Sequence, residues 1–268
     1  MMAGDQLREA VIALAHRAAI EILAVYNNAF VAGTVAIVHK DDRSPLTAAD
    51  LASHHCIVEG LRALTPDIPV LSEESKDIEI VNRREWNPLW LVDPLDGTRE
   101  FIKRNGEFTV NIALIQDGVA TFGVIQQPVT GLLWHGECGH GAFRRDGDAE
   151  QSIHVRTPAL IPLRVAASRS HRDERTQALL DALPDSEAVA CGSSLKFCRI
   201  AEGGIDLYPR FGPTSEWDTA AGQAILEAAG GAVLDARGRP LRYNQRDTLL
   251  NGDFLAFGDA ALRNSLPA

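Results

Sequence analysis

The chain has 268 residues, of which 46% are hydrophobic and 23% charged, as is usual for a globular protein and not for a disordered or fibrous one. Asp and Glu number 36 against 26 Lys and Arg, and the resulting net charge of −10 disfavours general nucleic-acid binding. Apolar stretches end well before the ~18 residues of a transmembrane helix. The N-terminus lacks the pattern of a secretory signal, and the four cysteines form no disulfide framework, so we expect a cytoplasmic protein.

Hydrophobic periodicity predicts an amphipathic helix over residues 5–27 and a second helix from Thr47, where Thr47 and Asp50 resemble a capping box. From residue 69 onwards, short apolar runs separated by turn residues predict a strand-rich middle. Strands are expected there at 69–71, 90–92, 108–116, 119–125, 131–135 and 163–167. Helices are then expected near 173–183, 194–202 and 217–229, and strands at 205–208, 232–235 and 254–258. The mixture predicts a layered α/β or α+β protein, with a lobe boundary near 145–160.

Acidic residues mark the ends of three predicted elements. They are Glu73 and Glu74 after one strand, Asp93 and Asp96 after another, and Asp218 at the start of an apolar helix. Oxygen ligands of this kind are what Mg²⁺ prefers in proteins. Each cluster taken alone also fits a structural position: a solvated turn, an Asp-Pro-x-Asp-Gly turn, or the first turn of a helix.

Gly97 and Thr98 follow the second acidic cluster, at the start of a predicted short helix. Free backbone N–H groups at a helix start attract anions, and glycine allows a phosphate to approach the backbone closely. Two Mg²⁺ ions beside such a site activate water and stabilise the oxygens of an in-line displacement. The residues alone therefore predict a metal-dependent hydrolase of phosphate esters.

Four longer segments support this interpretation by resemblance. They are Ser44–Asp50, Asp93–Asn111, Ser168–His171 and Gly192–Gly222. Together with Glu73 and Glu74 they resemble, in order along the chain, the inositol monophosphatase superfamily of magnesium-dependent, lithium-sensitive phosphatases. The match is closer still to its bacterial branch that acts on nucleotide bisphosphates. The resemblance implies a layered αβαβα sandwich, and we place an N-terminal lobe at 1–152, a C-terminal lobe at 153–268 and the active site between them.

The resemblance also implies roles for the acidic residues. One Mg²⁺ would be held by Glu73, Asp93 and the backbone carbonyl of Leu95, and a second by Asp93, Asp96 and Asp218. A third, weaker ion near Glu73 is compatible with the same pattern. The implied catalytic set is Asp50, Thr98 and Glu73, in which Thr98, paired with Asp50, orients and deprotonates the attacking water. Gly97 and Thr98 would bind phosphate, and Glu74 would support the ligands.

The nucleotide branch implies a second group of contacts, to the adenosine part and the remaining phosphate. The residues concerned are His171, Ser193, Ser194, Lys196 and Arg210. Each also fits an ordinary role, because a lone His or Lys is usually solvated and Gly-Ser-Ser is a common helix start.

The expected activity is therefore hydrolysis of the 3′-phosphate of adenosine 3′,5′-bisphosphate, a by-product of sulfur assimilation, to AMP and phosphate, with 3′-phosphoadenylyl sulfate as a second substrate. Alternatives within the enzyme class are inositol monophosphatase and fructose-1,6-bisphosphatase activity. A catalytically inactive phospholigand or metal sensor is the alternative from another class. The S-x-x-K pattern at Ser193–Lys196 lacks the other signatures of penicillin-recognising enzymes. Monomer and homodimer both stay open, and relatives imply peripheral association with the inner membrane, which the net charge of −10 opposes.

Overall fold

A computed structural model describes residues 4–32, 37–39, 45–75, 82–168, 174–183 and 185–266. Its helices are α1 (Gly4–Ala32), α2 (Ala48–Leu64), α3 (Thr98–Ile102), α4 (Glu174–Asp181), α5 (Leu195–Ala201) and α6 (Glu216–Ala228). The first strands are β1 (Ile37–His39), β2 (Pro45–Thr47), β3 (Val70–Ser72), β4 (Leu89–Asp96), β5 (Thr109–Gln116), β6 (Val119–Gln126) and β7 (Leu133–Glu137). The later strands are β8 (Gly141–Asp146), β9 (Ala149–Ile153), β10 (Leu163–Ser168), β11 (Ser186–Cys191), β12 (Leu207–Arg210), β13 (Ala232–Asp235) and β14 (Phe254–Phe257).

The strands form two main sheets. Seven strands lie in the order β3-β4-β5-β6-β7-β8-β9, with β3 and β4 parallel and every later pair antiparallel. Five strands form the second sheet in the order β11-β10-β12-β14-β13, in which β11, β10 and β12 are parallel and β14 is antiparallel to both neighbours. Strands β1 and β2 pair separately.

Helices cover both sheets and fill the space between them. Helices α1 and α2 pack together on one face of the seven-stranded sheet, around buried side chains such as Leu14, Ile57 and Trp90. Helices α5 and α6 pack together between the two sheets, where Phe197 and Ile225 belong to the largest core cluster. Leucines of α4 pack on the outer side of the second sheet. The expected layered αβαβα sandwich is confirmed.

Most predicted elements are present with small differences in their bounds, and Thr47 caps α2 as expected, in a capping box with Asp50. Five strands, β1, β2, β8, β9 and β11, are missing from the prediction. Strands β1 and β2 have only three residues each. Most residues of β8, β9 and β11 are exposed or only partly buried, so their sequences lack the apolar runs used to find strands. The chain leaves the first sheet at Ile153 and enters the second at Leu163, and the division into two lobes stays a prediction.

Helix α6 lies unusually close to the seven-stranded sheet. A Cβ atom at Gly123 of β6 would lie 2.4 Å from the backbone oxygen of Ala221, and one at Gly136 of β7 would lie 2.6 Å from the Cα of Ile225. Glycines on the sheet thus set the depth of α6, because any side chain there would push the helix outward. In the described part of the chain, no helix is long and apolar enough to cross a membrane.

Candidate active site

The end of strand β4 places two carboxylates at one edge of the sheet. Asp93 pairs with Asn111 and Asp96 with Thr109 of β5, and the register shifts between the two pairs. Pro94 lies in this irregular stretch and has no N–H group to donate to the ladder. The Asp93 carboxylate folds back to accept a hydrogen bond from the Leu95 amide, at 3.0 Å.

Asp93 is at the centre of the acidic cluster and only 2% exposed. Burial raises its pKa well above the usual range, and the negative charges of Glu73, Asp96 and Asp218 raise it further. The Glu73 amide donates to the carbonyl of Val92 at 3.0 Å, which places Glu73 beside the end of β4. The predicted acidic residues are therefore close in space, and their charges repel each other.

Asp218 reaches the cluster from the first turn of α6. Its carboxylate accepts a hydrogen bond from the Ser215 amide at 2.8 Å and completes a capping box at the helix start. Shielding from water, followed by the charges of Asp96 and Glu73, raises the pKa of Asp218 to about 8, although Arg210 acts in the opposite direction. The cap fixes the carboxylate facing the end of β4.

Asp96 is held from behind by hydroxyl and amide groups. Both the backbone amide and the hydroxyl of Ser194 donate to its Oδ2. The Ser194 hydroxyl accepts from Asn111 Nδ2 at 2.7 Å, and the Thr109 hydroxyl donates to Asn111 Oδ1 at 3.0 Å. Burial raises the pKa of Asp96, while Ser194 and the Lys196 ammonium lower it.

Thr109 and Asn111 carry no role in the sequence analysis, although a signal was present. Both are polar residues at alternate positions of the apolar strand β5, and both are almost completely buried. Alternation places them on one face of the strand. Buried polar side chains need hydrogen-bond partners. Here Thr109 bonds to Asn111, and Asn111 bonds to Ser194, which in turn donates to Asp96.

Thr98 and Asp50 form the pair that the resemblance predicts. The Thr98 hydroxyl lies 3.3 Å from Asp50 Oδ1 and 3.4 Å from the Leu95 carbonyl oxygen. Asp50 Oδ2 accepts from the Thr47 amide at 2.8 Å and from the Thr47 hydroxyl at 2.6 Å. Asp50 therefore caps α2 with one oxygen and contacts Thr98 with the other, so that the structural and the functional interpretation both apply.

Gly97 joins the acidic strand end to helix α3. Its φ of 89° lies in the left-handed region, which favours glycine. A Cβ there would lie 3.2 Å from both the Glu107 carbonyl oxygen and the Ser193 Cβ. Gly97 therefore lets the loop before Lys196 pack against the strand end.

The residues predicted to contact the nucleotide differ in their surroundings. Lys196 is 5% exposed, and its ammonium donates to the Ser193 carbonyl at 2.7 Å and lies 5.1 Å from the centre of the Tyr208 ring. Arg210 is partly exposed and donates to the Pro213 carbonyl at 2.9 Å. His171 lies outside the described residues. The nucleotide contacts stay predictions.

The donor chemistry of the cluster fits a hard cation. Its side-chain donors are the carboxylates of Glu73, Asp93, Asp96 and Asp218, three of which have raised pKa values. Among the described residues, no three His, Cys, Asp or Glu side chains already surround one ion position. Magnesium fits such an open arrangement, because it keeps several waters and takes substrate phosphate as a ligand. The predicted supporting residue Glu74 is half-buried next to Ser72, whose hydroxyl accepts from the Glu74 amide at 3.4 Å.

The fold and the site together define a class: layered α/β sandwiches with a buried acidic cluster between a strand end and a helix start. The family comparison agrees with this class. The sequence model of the inositol monophosphatase family matches residues 4–264, and the chain belongs to that family.

Individual relatives extend the comparison. The chain is 50% identical over 246 residues to the 3′(2′),5′-bisphosphate nucleotidase CysQ of Salmonella typhimurium, a match that covers 92% of this chain and 97% of the relative. The crystal structure of CysQ from Bacteroides thetaiotaomicron superposes with a TM-score of 0.80 at 41% identity, over 93% of this chain and 96% of that one. An inositol monophosphatase from Zymomonas mobilis superposes with a TM-score of 0.76 at 27% identity, over 98% and 97%.

We expect Asp218 to link stability, pH and magnesium. Its pKa is about 8 in the folded chain but ~3.9 in an unfolded one, so the folded state holds a proton that the unfolded state releases. This contribution to stability is complete below pH 4 and is lost as the pH rises to about 8. In chelator, the Tm of the wild type should therefore fall relative to that of Asp218→Asn between pH 5 and pH 8.

Added Mg²⁺ should reverse this trend, because metal binding displaces the proton. The rise in wild-type Tm on adding Mg²⁺ should be larger at pH 8 than at pH 5, and at pH 8 it should exceed the rise in Asp218→Asn, which keeps the other carboxylates of the cluster. Differential scanning fluorimetry measures all of these values. A rise of the same size in wild type and variant would contradict the assignment of Asp218 to the cation site.

Proposed function

We propose that this chain hydrolyses the 3′-phosphate of adenosine 3′,5′-bisphosphate to give AMP and phosphate, with Mg²⁺ as cofactor. The observation that carries the proposal is the buried carboxylate cluster centred on Asp93, adjacent to the Thr98–Asp50 pair. Membership of the inositol monophosphatase family supports phosphatase chemistry, and the CysQ relatives support the nucleotide substrate. The corresponding place in metabolism is the removal of a by-product of sulfur assimilation.

The carboxylates would hold the magnesium. Glu73, Asp93 and the Leu95 carbonyl form one proposed ligand set, and Asp93, Asp96 and Asp218 form the other. When bound, magnesium lowers the pKa of water and neutralises charge on the phosphate oxygens. A third ion near Glu73 belongs to the same proposal. The two sets share Asp93, whose pKa is raised by burial and by the charges of Glu73, Asp96 and Asp218, and this supports placing both sets at the end of β4.

Thr98 and Asp50 would handle the proton of the attacking water. The Thr98 hydroxyl can donate to Asp50 Oδ1, which leaves its oxygen lone pairs available to accept a proton from a water molecule. As Thr98 takes the proton of the water, its own hydroxyl proton passes to Asp50. Asp50 is suited to this role because its other oxygen stays bonded to Thr47, so the carboxylate keeps its orientation during the transfer. The amides at Gly97 and Thr98 would contact the phosphate being transferred.

Arg210 is the strongest candidate for binding the second phosphate. It lies close enough to Asp218 to lower that residue's pKa, and its side chain is partly exposed. Its Nε atom is shielded from solvent and has no hydrogen-bond partner among the described residues. Lys196, whose ammonium is already bound to Ser193, fits the support of the acidic cluster better. His171, Ser193 and Ser194 complete the proposed nucleotide contacts. The cytoplasmic location of the protein and its peripheral association with the membrane stay predictions.

The direct test is a comparison of substrates with the wild-type chain. In Mg²⁺, we expect kcat/KM for release of phosphate from adenosine 3′,5′-bisphosphate to exceed that for inositol 1-phosphate and fructose 1,6-bisphosphate. Activity should be lost in excess chelator and return on adding Mg²⁺. Turnover that survives the chelator would contradict the magnesium mechanism, and a preference for inositol 1-phosphate would transfer the proposal to the alternative substrate. No turnover of any phosphate ester would favour a sensor.

Thr98→Ala should slow the chemical step and leave magnesium binding nearly intact. General acid–base assistance is typically worth ~10²–10⁴-fold, and we expect a loss of kcat in that range. Thr98→Ser, which keeps the hydroxyl, is the matched control and should retain most of the activity. Single-turnover kinetics would isolate the chemical step. Equal single-turnover rates for Thr98→Ala and wild type would remove Thr98 from the proton pathway.

Arg210→Gln should discriminate between substrates with and without the second phosphate. A charge-assisted hydrogen bond contributes ~1.5–3 kcal/mol, which corresponds to a roughly 10- to 150-fold loss in kcat/KM for adenosine 3′,5′-bisphosphate. Adenosine 3′-monophosphate, which lacks the 5′-phosphate, should show little change. Lys196→Gln is the comparison, because a supporting role next to Asp96 predicts similar losses on both substrates. The opposite pattern for the two variants would exchange their roles.

A further inference from the structure

A buried polar network lies next to the start of helix α6, apart from the acidic cluster. Its centre is Glu216, which is completely buried. One carboxylate oxygen accepts from the backbone amide of Asn244 at 2.6 Å, and the other accepts from Arg246 Nη2 at 2.9 Å. Replacing a buried ion pair by apolar side chains is often neutral for stability, so the pairing of Glu216 is weak evidence for a purely stabilising role.

A second arginine ties the same loop to the segment that precedes strand β4. Arg83 is 5% exposed, and its guanidinium donates to Asn244 Oδ1 at 2.9 Å and to the carbonyls of Arg246 and Asp247, both at 2.7 Å. Asn244 Nδ2 donates back to the Arg83 carbonyl at 2.6 Å. The loop that holds Glu216 is therefore fixed on its other side as well.

The network reaches Asp218 through the backbone of the helix start. The Glu216 amide donates to the Leu249 carbonyl at 2.8 Å, and Asn251 Nδ2 donates to the Ser215 carbonyl at 2.8 Å. Asn251 also donates to the Thr219 hydroxyl at 3.0 Å. Ser215 is the residue whose amide binds the Asp218 carboxylate. Movement of Glu216 would thus displace the peptide that orients Asp218.

We propose that Glu216, held by Arg246 and the Asn244 amide, is a positioning residue that fixes the start of α6 so that Asp218 faces the end of β4. The inference rests on the proposed function, because it treats Asp218 as a cation ligand. Partners that orient metal ligands typically contribute 10–100-fold to metal affinity or activity. Glu216 acts through Asp218 and has no contact with substrate in this role.

The test uses Glu216→Gln, which keeps the size of the side chain and removes its charge. We expect the Mg²⁺ concentration that gives half of the maximal rise in Tm to increase by about 10-fold or more. The Mg²⁺ concentration for half-maximal activity should increase in parallel. Activity is measured well below the Tm of the variant, so that loss of folded protein does not contribute.

Asp206→Asn is the matched control. Asp206 is also completely buried and pairs with a partly exposed arginine, Arg156, but it lies just before β12 of the second sheet and takes no part in the network. It should lower the Tm without changing the Mg²⁺ requirement. If both variants lower the Tm and neither changes that requirement, Glu216 is only structural and the inference is wrong.

Two further arms keep the test decisive. If Glu216→Gln does not fold, Arg246→Gln replaces it, since the Arg246 side chain is 38% exposed and its loss leaves the Asn244 amide bound to Glu216. The same increase in Mg²⁺ requirement is expected, and an unchanged requirement overturns the inference. If the wild-type chain shows no response to Mg²⁺, the proposed function itself is contradicted. If the wild type responds normally and the variants respond in the same way, only the role of Glu216 is contradicted.

Discussion

Repulsion between carboxylates in a shielded environment is the constraint on which this site depends. The ionised form of Asp93 is strongly disfavoured, because the side chain is buried and the charges of three other acidic side chains repel it. Such a group either keeps a proton or requires a cation nearby. The surrounding structure makes the close approach possible by giving the three aspartates separate hydrogen-bond donors: Leu95 for Asp93, Ser194 for Asp96 and Ser215 for Asp218.

The acidic residues come from distant parts of the chain, and the fold brings them together. Strand β4 brings one pair of acids, the segment after β3 brings Glu73, and α6 brings Asp218 from the other side of the sheet. The sandwich is suited to this purpose because a helix packed between two sheets has little freedom to move. Repulsion between the acids would push strand β4 and helix α6 apart. A continuous core, which includes residues of both sheets and of α6, holds them together.

Much of this could be predicted from local sequence. The capping pattern at Thr47 and Asp50, the apolar strand that ends in Asp93 and the apolar helix that follows Asp218 are each visible within a few neighbouring residues, and all are present in the structure. Edge strands such as β9 were missed because their exposed, polar residues do not alternate clearly. Local patterns describe elements well when one face is buried and poorly when neither is.

Long-range polar pairing could not be predicted. Arg83 and Asn244 are 161 positions apart and bond to each other in both directions, yet neither has a local pattern that indicates a partner. The surroundings of Lys196 are a second example, because its segment suggests a solvated or ligand-binding side chain, whereas the fold buries the ammonium against Ser193. Burial is decided by the packing of whole elements, which a single segment does not contain.

The glycines beneath α6 have a consequence for how this enzyme tolerates change. Gly123 and Gly136 have no side chain and lie on the sheet, away from the acidic strand end, yet even a methyl group at either position would collide with the backbone of the helix that carries Asp218. The set of positions at which evolution or a designer is constrained is therefore larger than the set of ligands. Two residues without a functional side chain thus constrain the position of the helix that carries Asp218.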